Sequence, residues 1–230
     1  MQFLESSVIG LRAAIYRFSS KSLELELLIF PMVHIGDPSY YRYIKTQLSN
    51  CDSVVFEGVK SKKTWFLVQS YKILQKKKSL GLELQSKALN IENMPIQKIH
   101  GDVTAEEFDK SWRQIPLWFR TIVLICAPLY GIYQYLVTDR TSLAKDHSVE
   151  SVPLKNDIDE SEESLKFDEA ILHDRDSKLV EVLEDHIATH GNRSETTAIV
   201  YGARHIPAVV AFLSEKYGFK VTKSEWVQAI

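Results

Sequence analysis

Two histidines lie at similar junctions, where an apolar segment gives way to a helix that begins near a proline. His34 follows an apolar run, and Asp37 and Pro38 then supply the cap and first turn of a helix. His205 follows a second apolar run, and Pro207 fits the first turn of the next helix. A neutral imidazole in such a place can act as a general base or as a metal ligand. A single histidine at such a junction more often has a structural role than a functional one. Because two junctions carry a histidine, a functional role and a structural role explain the pattern equally well.

Two carboxylates also end apolar segments. Glu57 closes the segment DSVVFEGV, and it needs a cation, a metal ion or hydrogen-bond donors beside it, because an unpaired carboxylate is costly to bury. The alternative is that Glu57 lies at the solvated end of the strand and caps a loop. His100 and Asp102 follow a shorter run in KIHGD, a composition that is also common in turns.

A late helix carries an arginine and an aspartate on its apolar side. The inward stripe of this helix consists of Leu172, Leu179, Leu183 and Ile187. Arg175 and Asp176 share that face, since each lies three or four residues from a stripe leucine on either side. The pair predicts either a polar pocket under the helix or a buried salt bridge that fixes the helix to the sheet. The histidines without such a placement are interpreted as surface residues: His147, His173, His186 and His190.

Alternating strands and helices predict an α/β (α+β) fold, with a mixed central sheet flanked by helices. Strands are expected at Ala14–Phe18, Leu23–Val33, DSVVFEGV, MPIQKIH, Thr197–Tyr201 and Phe219–Glu225, the first two forming a hairpin. Helices are expected at Ser39–Leu48, Lys62–Lys78, Phe167–Thr189 and Pro207–Tyr217, with a further helix capped by Thr104 and Glu107. Sites in open sheets gather at the carboxyl ends of strands, which is where the candidate residues lie.

The middle of the chain departs from this alternation. We expect one domain over 1–230, with an apolar helical insertion at 113–140 and an acidic flexible loop at 141–164. The uncharged run Thr121–Thr138 approaches membrane-spanning length but contains Pro128 and Gly131. Three interpretations of this segment are open. It is a helix that spans a membrane, a segment of the protein core, or a helical hairpin on the surface that is broken at these two residues. Such a hairpin would contact a membrane or a second copy of the chain through 115–138. A spanning helix would separate the two junction histidines.

The amino-acid composition is that of an ordinary globular protein. Of the 230 residues, 45% are hydrophobic and 25% are charged, and the formal net charge of -2 gives no general attraction to nucleic acid. Cys51 and Cys126 are too far apart for a CxxC pair and are expected to be reduced thiols. The N-terminus has no basic region followed by an apolar run, so the sequence predicts no signal peptide and a cytoplasmic, or membrane-associated, location.

The motifs as a set resemble those of the TraB/Tiki superfamily, which also groups ChaN-like haem-binding lipoproteins and erythromycin esterases. The matching positions are Gly202-Ala203-Arg204-His205 as a GxxH junction, Glu57, Asp102, Arg175 with Asp176, and Gln85 in GLELQ. The earlier junction departs from the family pattern, because Pro31 stands where the family has glycine, although His34 is retained. The resemblance covers about residues 12 to 225.

The resemblance implies a hydrolase that activates water for cleavage of a peptide or an ester. The implied catalytic residues are His34, Glu57, Arg175 and His205, and the implied metal ligands are His34, Glu57, Asp102, Asp176 and His205. Arg175, Gln85 and His100 would bind substrate. Such a donor set suits zinc, manganese or cobalt, whereas some relatives work without a metal ion. The alternatives are a haem-like ligand-binding protein and a membrane-associated regulatory protein that keep the fold without catalysis.

Overall fold

The computed structural model describes residues 1–150 and 162–230, and it shows a mixed α/β protein, as predicted. Nine strands are present in these residues: β1 (Leu4–Ser7), β2 (Gly10–Ser19), β3 (Glu26–Met32), β4 (Ile35–Gly36), β5 (Ser53–Phe56), β6 (Glu83–Leu84), β7 (Gln97–His100), β8 (Thr196–Gly202) and β9 (Lys220–Gln228). The α-helices of the same residues are α1 (Pro38–Leu48), α2 (Lys62–Leu67), α3 (Gln69–Gln75), α4 (Gln85–Leu89), α5 (Ala105–Gln114), α6 (Leu117–Val137), α7 (Arg140–Glu150), α8 (Glu162–Asp168), α9 (Asp174–His190) and α10 (Ile206–Tyr217).

The central sheet has an antiparallel half and a parallel half. Strand β2 pairs antiparallel with β1, β3 and β9, which confirms the predicted hairpin. Strands β3, β8, β5 and β7 then follow side by side, all parallel. Met32 lies beside Gly202, and Phe56 lies between Val200 and His100. The carboxyl ends of all four strands therefore meet at one edge of the sheet.

The central parallel strands β3, β8 and β5 are mostly apolar because helices cover both faces of the sheet, whereas the outer strand β7 is polar and largely exposed. In β8, Ala198 and Val200 belong to a core that also contains residues of α1, whereas Ile199 and Tyr201 belong to a second core that contains residues of α9 and α10. Alternate residues of a strand point to opposite faces, so a strand buried on both sides has few polar positions. This confirms the expectation of covered strands drawn from the uniform apolar run before His34.

Local capping signals place the helices that follow the strand ends. Asp37 Oδ1 accepts a hydrogen bond from the Ser39 backbone N–H at 2.9 Å and caps α1. Thr104 and Glu107 form the predicted capping box at the start of α5. The predicted helix Lys62–Lys78 is instead two helices, α2 and α3, which meet at Val68. Helix α9 continues directly from α8 through a π-helical turn, Glu169–His173.

The apolar insertion is one continuous helix and not a hairpin. Helix α6 runs for 21 residues through Pro128, and most of its apolar side chains are exposed, so the core interpretation is also wrong. Among the described residues, α6 is the one helix long and apolar enough to cross a membrane. Cys126, on this helix, is a free exposed thiol, and Cys51 is also free.

The segment predicted as an acidic flexible loop is helical at both of its ends. Helix α7 occupies its first part, because Leu143 and Ala144 are buried in the core below β1 and β2. Helix α8 begins at Glu162, and residues 151–161 of the predicted loop lie outside the described residues.

Gly101 permits the close packing that brings Asp102 to the sheet edge. A Cβ at this position would lie 2.6 Å from Val55 Cγ1 and 3.1 Å from Leu179 Cδ1. We expect Gly101→Ala to lower the free energy of unfolding by about 1–3 kcal/mol, as overpacking does in well-packed cores. Denaturant unfolding measures this change. Gly58→Ala is the matched control, since no atom lies within 4 Å of its Cβ position, and equal stability of the two variants would contradict the packing argument.

Candidate functional site

His205 lies at the carboxyl end of β8 in a fixed orientation. The strand ends at Gly202, and a short 3-10 turn, Ala203–His205, leads into α10. The imidazole is buried, with an exposed fraction of 5%, and its edge packs against the Tyr201 ring at 4.9 Å between centroids. His205 Nδ1 lies 2.7 Å from Oδ1 of Asp176, on the first turn of α9. His205 Nε2 has no hydrogen-bond partner in the part of the chain that the structure describes.

This pairing favours one chemical form of the imidazole. A carboxylate at Nδ1 holds the proton on that nitrogen and leaves the lone pair on Nε2. The carboxylate also stabilises the imidazolium that forms when Nε2 takes up a proton. The contact between Asp176 and His205 therefore has the geometry of an oriented general base.

Glu57, directly after β5, has hydrogen-bond donors on both carboxylate oxygens. Oε2 accepts from the Gly202 backbone N–H at 3.2 Å and from Arg175 Nη2 at 3.4 Å. Oε1 accepts from Gln85 Nε2 at 3.3 Å. The Glu57 side chain is 9% exposed, so it does not lie at a solvated strand end. These partners are the cation and the hydrogen-bond donors that we expect beside a buried carboxylate at this position.

Asp102 and Arg175 form the most buried ion pair of the site. Arg175 Nε donates to Oδ1 at 2.9 Å and Nη2 donates to Oδ2 at 2.7 Å. The backbone N–H groups of Val103 and Gly58 also donate to this carboxylate, each at 2.9 Å. Burial alone would raise the pKa of Asp102, but the hydrogen bonds and the charge of Arg175, with these two amides, hold the pKa below its ordinary value of 3.8. Both groups are therefore charged in the folded protein.

The Arg175 guanidinium also packs against the aromatic ring of Tyr201. The guanidinium carbon of Arg175 lies 5.6 Å from the centroid of the Tyr201 ring. Burial alone would lower the pKa of Arg175, but the Asp102 and Glu57 carboxylates raise it above its ordinary value. The sequence gives no signal that Tyr201 belongs to the site, because an aromatic residue in a buried strand usually packs in the hydrophobic core.

Gly202 lies beside both the Glu57 carboxylate and the His205 imidazole. Its φ of -53° is ordinary, so backbone strain is not the reason for glycine here. A Cβ at this position would lie 3.4 Å from Glu57 Oε2 and 3.4 Å from His205 Cδ2, which are ordinary contact distances. The position therefore adjoins both groups and would accept a side chain as small as that of alanine.

Gln85 reaches the site through a small second sheet. Strands β4 and β6 pair antiparallel, and the Gln85 backbone N–H donates to the His34 carbonyl oxygen at 3.0 Å. Its side-chain Oε1 is buried without a hydrogen-bond partner among the described residues, whereas the Tyr201 hydroxyl lies beside the Asp102 carboxylate. A buried polar atom without a partner is costly, so Gln85 Oε1 is a candidate for contact with a ligand at this edge.

The side chains of His34 and His100 make no hydrogen bond to the side chains of this cluster in the described residues. The His34 side chain is exposed and packs against Tyr71 of α3, with 5.1 Å between ring centroids. His100 is exposed on the outer strand β7, and its Nε2 lies 2.9 Å from the Gly58 carbonyl oxygen. The structure brings together the other predicted site residues: Glu57, Gln85, Asp102, Arg175, Asp176 and His205.

The donors of the cluster do not fit a metal site built from protein ligands. Arg175 already neutralises Glu57 and Asp102, and Asp176 is engaged by His205. Within the described ranges, no group of three or more histidine, cysteine or carboxylate side chains is arranged to hold a metal ion. No step below passes through zinc, manganese or cobalt.

His186 is buried, so its assignment to the surface is wrong. It is 5% exposed, and Nε2 lies 2.8 Å from Thr197 Oγ1, which in turn lies 2.9 Å from Ser53 Oγ. Burial, with a smaller effect of His190, lowers the pKa of His186 to about 4. The helical spacing could have shown this placement, because His186 lies three residues after Leu183 on the inward stripe.

No family model, curated protein or solved structure matches this chain. The fold and the polar strand ends define a mixed α/β protein with a charged site at the carboxyl edge of its parallel strands. The TraB/Tiki resemblance stays a prediction, and the function must be argued from the site.

The buried ion pair predicts a large asymmetry between single and double variants. Arg175→Met leaves the Asp102 charge buried with only backbone donors, and we expect it to lower the free energy of unfolding by about 3–5 kcal/mol. Adding Asp102→Asn to this variant should restore part of the loss, since Glu57 is then the one carboxylate of the site that is buried without its cation. Denaturant unfolding of both variants checks this, and a double variant less stable than Arg175→Met would contradict it.

The lowered pKa of Asp102 also predicts a dependence of stability on pH. Because the pKa is lower in the folded than in the unfolded chain, ionised Asp102 contributes its full stability above its unfolded value of 3.8. This contribution is lost as the pH falls through the folded pKa. The difference in unfolding free energy between the native protein and Asp102→Asn should therefore be constant near neutrality and shrink below about pH 4. A difference that grows on acidification would contradict the assignment.

Proposed function

We propose that this protein is a hydrolase in which His205 activates a water molecule to attack the carbonyl group of a peptide or an ester. The observation that carries the proposal is the contact of 2.7 Å between His205 Nδ1 and Asp176 Oδ1. This contact leaves Nε2 without a hydrogen-bond partner among the described residues, at the edge where Glu57 and Arg175 also lie. The TraB/Tiki resemblance supports the same reaction class.

In this proposal His205 acts as general base and then as general acid. Nε2 takes a proton from water as the water oxygen bonds to the carbonyl carbon, and it returns the proton to the leaving amine or alkoxide. Asp176 stabilises the imidazolium between these two steps.

Arg175 is the residue that can meet the developing negative charge of the carbonyl oxygen. Its Nε and Nη2 are bound by Asp102 and Glu57, whereas Nη1 has no hydrogen-bond partner among the described residues. A fixed guanidinium with one free edge can donate to an oxyanion or to a substrate carboxylate. Asp102, Glu57 and Tyr201 hold the guanidinium in place before substrate arrives.

The test measures hydrolysis of a panel of p-nitrophenyl esters and internally quenched peptides by the purified full chain. His205→Ala should lower kcat by about 10²- to 10⁴-fold, the usual contribution of a positioned general base. Asp176→Asn should lower kcat while folding normally. His173→Ala is the matched control, since this exposed histidine has no contact with the cluster, and it should keep full activity.

Three results would overturn the proposal. The first is the absence of hydrolysis across the panel, and a Soret absorption band in the purified protein would then support the haem-like alternative. The second is full activity of His205→Ala. Stoichiometric metal in the native protein that is lost in both His34→Ala and His205→Ala would replace the proposal with the metal-dependent form.

A further inference from the structure

The outer side of α6 is apolar although it faces solvent. Six large residues follow one another at intervals of four and three along this side, and we call them the outer stripe: Trp118, Ile122, Ile125, Leu129, Ile132 and Leu136. Their exposed fractions run from 48% to 71%. Exposed apolar surface of this extent marks a contact with another molecule or with a membrane.

The inner side of the same helix is small and polar in its second half, whereas Phe119, Val123 and Leu124 of its first half pack against the cluster around Phe108 and Trp112. In the second half Gly131, Gln134 and Thr138 are buried, and α6 packs on α2 and α3. A Cβ on Gly131 would lie 2.5 Å from Ser70 Cα, so the close approach of the two helices needs glycine. A surface helix in water usually has its large apolar residues inward, which is the opposite of this second half. Small residues between helices and large apolar residues outside are typical of helices that contact lipid.

The segments that form α6, α2 and α3 carry charges of one sign, although Lys60 and Lys63 pair with Glu92 and Asp109 from other segments. Residues 58–82, which include α2 and α3, contain seven lysines and no acidic residue, and residues 117–138 contain one arginine and no acidic residue. All 30 acidic residues therefore lie elsewhere in the chain. Lys62, Lys76 and Lys78 are exposed, and Lys77 Nζ donates to the Thr138 carbonyl oxygen at the end of α6. Trp65 and Phe66 of α2 add exposed aromatic surface beside these lysines.

Both ends of α6 are fixed to the same globular body. Ile115, just before the helix, is 1% exposed, and Leu143, just after it, is also 1% exposed. A helix of 21 residues is about 31 Å long, so a transmembrane orientation would pull one of these ends out of the core. The helix must lie along the surface of the protein.

We propose that α6, α2 and α3 dock this protein onto an anionic lipid bilayer. The outer stripe enters the boundary between headgroups and acyl chains, and the exposed lysines contact the anionic headgroups. A second copy of the chain is a poorer occupant, because two such surfaces would bring their lysines together. This inference is independent of the proposed hydrolase activity.

The test is flotation of the full chain with phosphatidylcholine vesicles that contain or lack phosphatidylserine. The native protein should float with phosphatidylserine vesicles and less with phosphatidylcholine alone. The double variant Ile125→Glu with Leu129→Glu should stay in solution. Lys76→Gln with Lys78→Gln should partition about twenty-five-fold more weakly, at about fivefold for each lysine. Val8→Glu with Ile9→Glu is the matched control at an exposed apolar turn away from α6, and it should float like the native protein.

Equal flotation of the native protein and the outer-stripe variant, or no flotation of the native protein, would overturn the proposal. Light scattering without lipid gives a second decisive result. A native dimer that becomes a monomer in the outer-stripe variant, with no vesicle binding, would assign this surface to a second copy instead. His205→Ala should float normally, so that the failure of docking and the failure of catalysis are distinguishable.

Discussion

The site depends on a buried cation that lies between two buried carboxylates. Arg175 is bound to Asp102 through two parallel hydrogen bonds and reaches Glu57 with the same nitrogen, Nη2. None of the three charges could be buried alone at an acceptable cost, since each would lack the partner that replaces water. Together they tie helix α9 to the ends of β5 and β7. The position of α9 then determines where Asp176 meets His205.

Most of the fold could be predicted from local patterns in the sequence. The covered strands, the N-cap of Asp37, the capping box of Thr104 and the inward turn of Arg175 all appear as predicted, because each depends on residues within one or two turns of chain. The meeting of the strand ends at one edge follows from the parallel arrangement. Local signals and tertiary structure agree at these positions.

The direction of individual side chains beyond the strand ends could not be predicted in the same way. His34 lies two residues past β3, where neither the period of a strand nor that of a helix determines which way the ring points. Its ring packs on Tyr71, which belongs to a helix about forty residues later, and no local pattern contains that contact. The continuity of α6 through Pro128 was also missed, because a proline in a helix removes one backbone hydrogen bond but does not always end the helix.

The π-helical turn Glu169–His173 determines where this helix can change in length. Its wider backbone takes up one additional residue, so that residue does not turn the chain beyond it away from its partners. Ala170 packs with Phe108 and Trp112 of α5, whereas Leu179 and Leu183 pack on the sheet. Deleting one residue here would return the backbone to regular α-helix and leave Arg175 facing in nearly the same direction. A deletion in a regular turn between this point and Arg175 would instead rotate the guanidinium by about 100° away from Asp102. The π-helical turn is therefore the place where the helix could lose a residue and keep its ion pair.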